Sequence, residues 1–163
     1  MKYKDYAVTF REFPDEISLC INISNCPHKC SECHSPELWE DVGIILTQSE
    51  LSKLIENNKG ITCIGFMGGD SNPELINTFA AFIKNNYKDL KVGWYSGEVK
   101  IRKEIDIKWF DYIKVGPYIK EKGPLDNPNT NQRFYAKGKH LHKMDANPEM
   151  LYDVTYKFWK DGK

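Results

Sequence analysis

The chain has no surplus of charge: 23 Lys and Arg are matched by 23 Asp and Glu across 163 residues. Proteins that grip nucleic acid through its phosphates usually carry a basic excess, so that role is not expected here. No apolar run approaches the ~20 residues of a membrane span. The opening MKYKDYAVTF lacks the apolar core of a secretory signal. Internal repeats and low-complexity tracts are also missing. These absences point to a soluble, cytoplasmic protein with no membrane and no nucleic-acid partner. Cysteine is scarce, with five residues. Without an export signal, so few thiols suggest thiol or metal chemistry rather than a disulfide framework.

What is present is material for a core. Hydrophobic residues make up 40% of the chain and aromatics 13%, which argues against disorder, and the length suits one domain over residues 1–163. Residues 3–10 and the strictly alternating 17–23 read as strands. On the second of these, Ile17, Leu19, Ile21 and Ile23 share one face, and Cys20 falls on the polar one. Thr47 to Glu50 forms a capping box ahead of Leu51, Leu54 and Ile55 at helical spacing. Residues 61–66 read as a strand ending in Gly68-Gly69-Asp70. Asn72 and Pro73 then open a helix bearing Leu75, Ile76, Phe79, Phe82 and Ile83. Residues 92–95 and 112–115 read as strands, with a helix expected near 98–105 between them. Gly, Pro and Asn mark 120–131 as loop, and 133–136 reads as a last strand.

Alternating strands and helices predict an α/β fold with a largely parallel sheet. A full eight-unit barrel needs about 200 residues or more, so the expectation is a partial (β/α) barrel. In such folds ligands sit at the carboxyl ends of the strands. Four turns would therefore meet at one site: the cysteine loop, Gly-Gly-Asp, Ser96-Gly97 and Gly116-Pro117.

Cys26, Cys30 and Cys33 follow the spacing C-x3-C-x2-C. Three thiolates from one loop can hold three irons of a cubane cluster and leave the fourth open for a ligand. The competing reading is a structural zinc module, with His28 or His34, or the distant His140 or His142, as fourth ligand. Zinc ligands usually come as two separated pairs, which favours the iron–sulfur reading. Cys63 reads as a small buried hydrophobe and Cys20 as structural. His140 and His142 read as part of a solvated turn.

The triad together with Gly68-Gly69-Asp70 resembles the radical S-adenosylmethionine superfamily. Residues 26–39 (CPHKCSECHSPELW), 67–75 (MGGDSNPEL), 92–97 (VGWYSG) and 114–135 (KVGPYIKEKGPLDNPNTNQRFY) resemble, in order, the activating enzymes of anaerobic, class III ribonucleotide reductase. That resemblance implies a radical-type partial barrel in which Cys26, Cys30 and Cys33 bind a [4Fe–4S] cluster. It implies S-adenosylmethionine on the open iron, reductive cleavage to methionine and a 5′-deoxyadenosyl radical, and a glycyl radical made on the reductase large subunit. A low-potential flavodoxin or ferredoxin is the implied electron donor. Gly68, Gly69 and Asp70 would hold the cofactor's amino group, or form an ordinary strand-to-helix turn. Backbone groups of Glu32, Cys33 and His34 would meet the adenine, although the family tends to carry Gly where Glu32 stands. Ser96 could reach the cofactor carboxylate or ribose, or simply shape its turn. Asn131, Gln132 and Arg133 read as loop-capping residues that could instead close the site, and Trp94 and Tyr95 read as core. Members often carry Gly-Pro-Gly-x-Arg where this chain has Phe13-Pro14-Asp15-Glu16, with Arg11 ahead of it. A related radical enzyme acting on a small metabolite, like a deazapurine-forming synthase, is the alternative within the same chemistry.

Overall fold

Eight strands form one sheet in a computed structural model that describes residues 1–141 and 145–159. They are β1 (Lys2–Thr9), β2 (Ser18–Ile23), β3 (Ile44–Ile45), β4 (Cys63–Met67), β5 (Lys91–Tyr95), β6 (Tyr112–Val115), β7 (Arg133–Lys137) and β8 (Leu151–Asp153). Their spatial order is β3-β1-β2-β4-β5-β6-β7-β8. The central strands β2, β4, β5 and β6 run parallel. The flanking strands join through antiparallel pairings. The sheet is thus mixed and parallel only in its middle, a correction to the largely parallel sheet expected, and it does not close into a barrel. The reason lies in the connections. A parallel neighbour needs a crossover of a dozen or more residues, usually helical. The short link from β1 to β2 can only reverse the chain, and the Gly-, Pro- and Asn-rich link from β6 to β7 contains no α-helix.

Two α-helices supply crossovers. Helix α1 (Gln48–Asn57) starts where the Thr47 hydroxyl accepts the Glu50 N–H at 3.1 Å, and it buries Leu51, Leu54 and Ile55. Helix α2 (Pro73–Asn86) starts where the Asn72 side chain accepts the Leu75 N–H at 3.0 Å, and it buries Ile76, Phe79, Ala80 and Ile83. Both pack in one apolar cluster with Leu19, Ile21, Ile64, Phe66, Val92 and Trp94, which alternate along β2, β4 and β5.

The helix expected near 98–105 is absent; a 3₁₀ turn at Ile107–Trp109 takes its place. A segment this short is marginal as an isolated helix. Its apolar residues Val99, Ile101 and Ile105 do not fall on one helical stripe, and Val99 is 81% exposed. The Glu98 N–H is instead taken by the Ser96 hydroxyl at 3.0 Å.

The other face of the sheet carries a second, smaller core of Phe13, Cys20, Cys63, Tyr112, Phe134 and Val154. Cys20 therefore lies in a buried face, not the polar one its neighbours suggested, and burial pushes its thiol up to about 12. Phe13 is fully buried at the centre of this core, against Tyr95, Tyr112 and Phe134. Its ring needs the space above two glycines. A methyl group at Gly65 would meet Phe13 Cε2 at 2.4 Å, and one at Gly93 would meet Cε1 at 2.0 Å. Phe13→Ala should lower stability by about 3–5 kcal/mol, read as a shifted denaturation midpoint at unchanged slope. A loss below 1 kcal/mol, on the order of a surface change, would mean the ring is not a keystone of this face.

Below Phe13, at the amino ends of the parallel strands, a cavity of about 230 Å³ is lined by Glu16, Lys91, Tyr112 and His140 among others. Glu16 pairs with Lys91 and accepts the Tyr112 hydroxyl at 2.7 Å. His140 is not part of a solvated turn. Its Nε2 lies 2.8 Å from Oδ1 of the fully buried Asp111, which also binds Lys84 and Lys139 and is held well below the usual carboxylate range by these bonds. His142 lies outside the described residues.

Candidate metal centre and adjoining cavity

Strand β2 runs into the cysteine loop. Asn25, Lys29 and Glu32 take positive φ values of 64°, 42° and 56°, which fold the loop back on itself. Glu32 thus occupies the left-handed region where glycine is at ease, and its carboxylate pairs with Lys120 at 2.7 Å. The Asn25 and Cys26 N–H groups bind Glu40 O at 3.0 Å and Leu38 O at 2.9 Å, tying the loop to the segment behind it. Cys26, Cys30 and Cys33 are free, partly buried thiols that line one cavity of about 240 Å³. Burial pushes the Cys26 thiol up, while hydrogen bonds from the His28 and Lys29 backbone pull it down.

The ends of β4, β5 and β6 reach the same cavity. Gly68, Asp70, Ser96, Gly97, Gly116 and Pro117 all line it beside the cysteines, so the four turns meet as the strand order demands. Gly68 and Gly69 both have φ of 100°. A side chain at Gly69 would strike Ile76, 2.5 Å away, so this glycine serves the packing of α2 and is not in the cavity wall.

Asp70 is 4% exposed and already engaged. The Ser96 hydroxyl donates to Oδ1 at 2.6 Å, and the Gly97 N–H donates to Oδ2 at 2.9 Å. His28 Nε2 lies 3.2 Å from Oδ2 but is not aligned for a hydrogen bond. Asp70 thus locks the turn after β5 to the turn after β4, and Ser96 is a buried donor to Asp70. The carboxylate keeps free lone pairs, since each oxygen has two acceptor sites.

A second cavity, of about 520 Å³, adjoins the first. Cys33, Met67, Tyr95, Lys114, Tyr118 and Gln132 belong to the walls of both. Tyr95, Gln132 and Lys114 are among those missed or misread in the sequence. Tyr95 is cavity wall as well as core; its hydroxyl donates to the Glu12 carbonyl at 2.5 Å. Gln132 is buried wall, whereas Arg133 caps the loop through Thr130 O and Gln132 O at 2.8 and 2.7 Å. Asn131 donates to Pro117 O at 2.9 Å. Lys114 is the most telling omission: a lysine inside the apolar strand β6 is itself a signal. Its Nζ donates to Gly116 O at 2.8 Å, and burial pulls its pKa down to about 8. His34 lines the outer cavity with its ring 4.8 Å from that of Tyr118.

Both histidines near the triad are held by other contacts, although His28 lines the same cavity as the thiols. His28 is wedged against Gly97 and Asp70, and His34 packs on Tyr118. Among the described residues no three His, Cys, Asp or Glu converge as they would on one ion. Three thiols from one loop, spread over one cavity wall with backbone N–H groups on Cys26, instead suit a group of several irons, each taking its own thiolate.

The site so built is that of an iron–sulfur protein. Residues 17–122, well over half of the chain, match the model of the 4Fe-4S single cluster domain family, and the chain belongs to that family. No curated protein and no solved structure matches the chain. Among the described residues no helix is long and apolar enough to cross a membrane.

Proposed function

We propose that this chain is a radical S-adenosylmethionine enzyme of the activase type, which generates a glycyl radical on an anaerobic ribonucleotide reductase. The observation that carries the reading is the meeting of the three thiols with the turns after β4, β5 and β6 in one cavity. Cys26, Cys30 and Cys33 would hold the cluster, and no fourth cysteine stands in the loop. When bound, the cluster supplies the electron that cleaves the cofactor's sulfonium and yields the 5′-deoxyadenosyl radical. The protein's own part is to bind, orient and exclude water. Asp70 offers its remaining lone pairs to the cofactor's ammonium, and Ser96 holds that carboxylate in place from behind. Cys33 and His34 line the outer cavity, where the adenosyl group and the attacked glycine would lie, and with the neighbouring Glu32 they would meet the adenine through backbone groups. The partner is the reductase large subunit, and the electron donor a flavodoxin or ferredoxin. The decisive first test is anaerobic purification with metal and sulfide analysis, followed by a cleavage assay with dithionite. About four irons with reductive formation of 5′-deoxyadenosine supports the reading, and a single zinc without cleavage sinks it.

Asp70 gives a sharper prediction. Asp70→Ala should weaken cofactor binding about tenfold to a hundredfold, the worth of a charge-assisted hydrogen bond, while iron content stays unchanged. Ser96→Ala should cost less, since it removes only a support of that carboxylate. Titration calorimetry on the cluster-loaded variants measures both. Equal losses in the two variants would reduce Asp70 to a brace for the Ser96 turn.

A further inference from the structure

Among the described residues, buried lysines are paired with carboxylates, with one exception. Lys137 is 1% exposed and binds Glu149 at 2.8 Å. The less buried Lys84 and Lys91 sit on Asp111 and Glu16. Lys114 is 8% exposed, and its one hydrogen bond goes to a backbone carbonyl. Among the described residues no carboxylate lies within ion-pair distance of it; Asp70, the Cys30 thiol and Glu12 act on it only at longer range. An ammonium has three donors, so the Gly116 carbonyl leaves two unmatched. Its Nζ stands 5.8 Å from the centre of the Tyr95 ring, which softens the charge but cannot replace a counter-ion. A cation held out of water without an anion is costly and is stabilised when one arrives.

The place of this charge narrows the anion. Lys114 lines both cavities, and the inner one also holds Asp70 on its wall. One cavity therefore presents a buried carboxylate with spare acceptor sites and a buried ammonium with spare donors. That pair complements a zwitterion, the α-ammonium and α-carboxylate of an amino acid. A phosphate, with its greater charge, would face the repulsion of Asp70 and Glu12.

We propose that Lys114 is the residue that binds the α-carboxylate of an amino-acid group in this cavity, opposite Asp70. On the functional reading above, to which this assignment is tied, that group is the methionyl end of S-adenosylmethionine.

The test uses the cluster-loaded chain and two pairs of probes. S-adenosylmethionine is compared with its decarboxylated form, and L-methionine with 3-(methylthio)propylamine, each titrated calorimetrically into wild type, Lys114→Met and Lys114→Arg. Iron content and circular dichroism are read first. Lys114→Met should bind the carboxylate-bearing probes about tenfold to a hundredfold more weakly and the decarboxylated ones unchanged. Lys114→Arg, which keeps the charge, should recover most of the loss and covers the case in which the apolar variant fails to fold. Equal weakening of both members of each pair, or no weakening, overturns the assignment. A wild type that binds L-methionine through Lys114 but does not bind S-adenosylmethionine keeps the assignment and overturns the functional reading instead.

Discussion

Replacing any one of Cys26, Cys30 or Cys33 by alanine is expected to abolish both the cluster and all cleavage of S-adenosylmethionine. Three irons need three thiolates, and two cannot hold them in the required arrangement. The two histidines of this region are held by other contacts: His28 is wedged between Gly97 and Asp70, and His34 rests on Tyr118. The informative controls are the other two thiols. Cys20 and Cys63 are buried in the apolar core around Phe13, outside the wall of the cluster cavity. Their alanine variants should keep full iron content with a modest loss of stability, since little volume is removed. Iron and sulfide assays with the visible absorption of the loaded protein read the outcome. Iron loss in Cys20→Ala as complete as in Cys30→Ala would show that the ligand set is misassigned.

The second large effect depends on the partner. On the activase reading proposed above, a loop of the partner completes the walls of the outer cavity and keeps water from the reactive radical. Reduced enzyme with S-adenosylmethionine alone should therefore cleave it slowly and without lasting product. Adding the cognate anaerobic reductase should give a stable glycyl radical with a doublet in electron paramagnetic resonance. Changing the partner's radical glycine to alanine should remove the doublet and leave this chain's cluster intact. Turnover of a free metabolite at a rate of order 1 s⁻¹ without any partner, ordinary for an enzyme, would move the assignment to the metabolite-acting class.

Much of this site was readable in the chain because local rules govern it. The capping residues Thr47 and Asn72, the alternation along β2 and the glycine-closed ends of β4, β5 and β6 each act over a few residues. Together they fix where the four turns must meet. The failures came where a residue answers to distant neighbours. Cys20 shares its strand face with the polar Ser18 and Asn22, yet Phe13, brought from another segment, covers it. His140 sits in a run of lysines, yet Asp111 draws it inward. The segment after Gly97 has enough charge for a helix but no apolar stripe, and the Ser96 hydroxyl claims its first N–H. Lys114 was overlooked because a lone lysine on a strand is read as solvent-facing. Its burial follows from the register β5 and β7 impose on β6.

The stack of Phe13 on Gly65 and Gly93 also makes the two ends of the sheet depend on each other. The ring packs on Tyr112 and Phe134, which line the charged cavity at the amino ends of the strands, and on Tyr95, which lines the joined cavities at their carboxyl ends. One aromatic stack is thus a party wall, and loosening it from either side would be felt on the other.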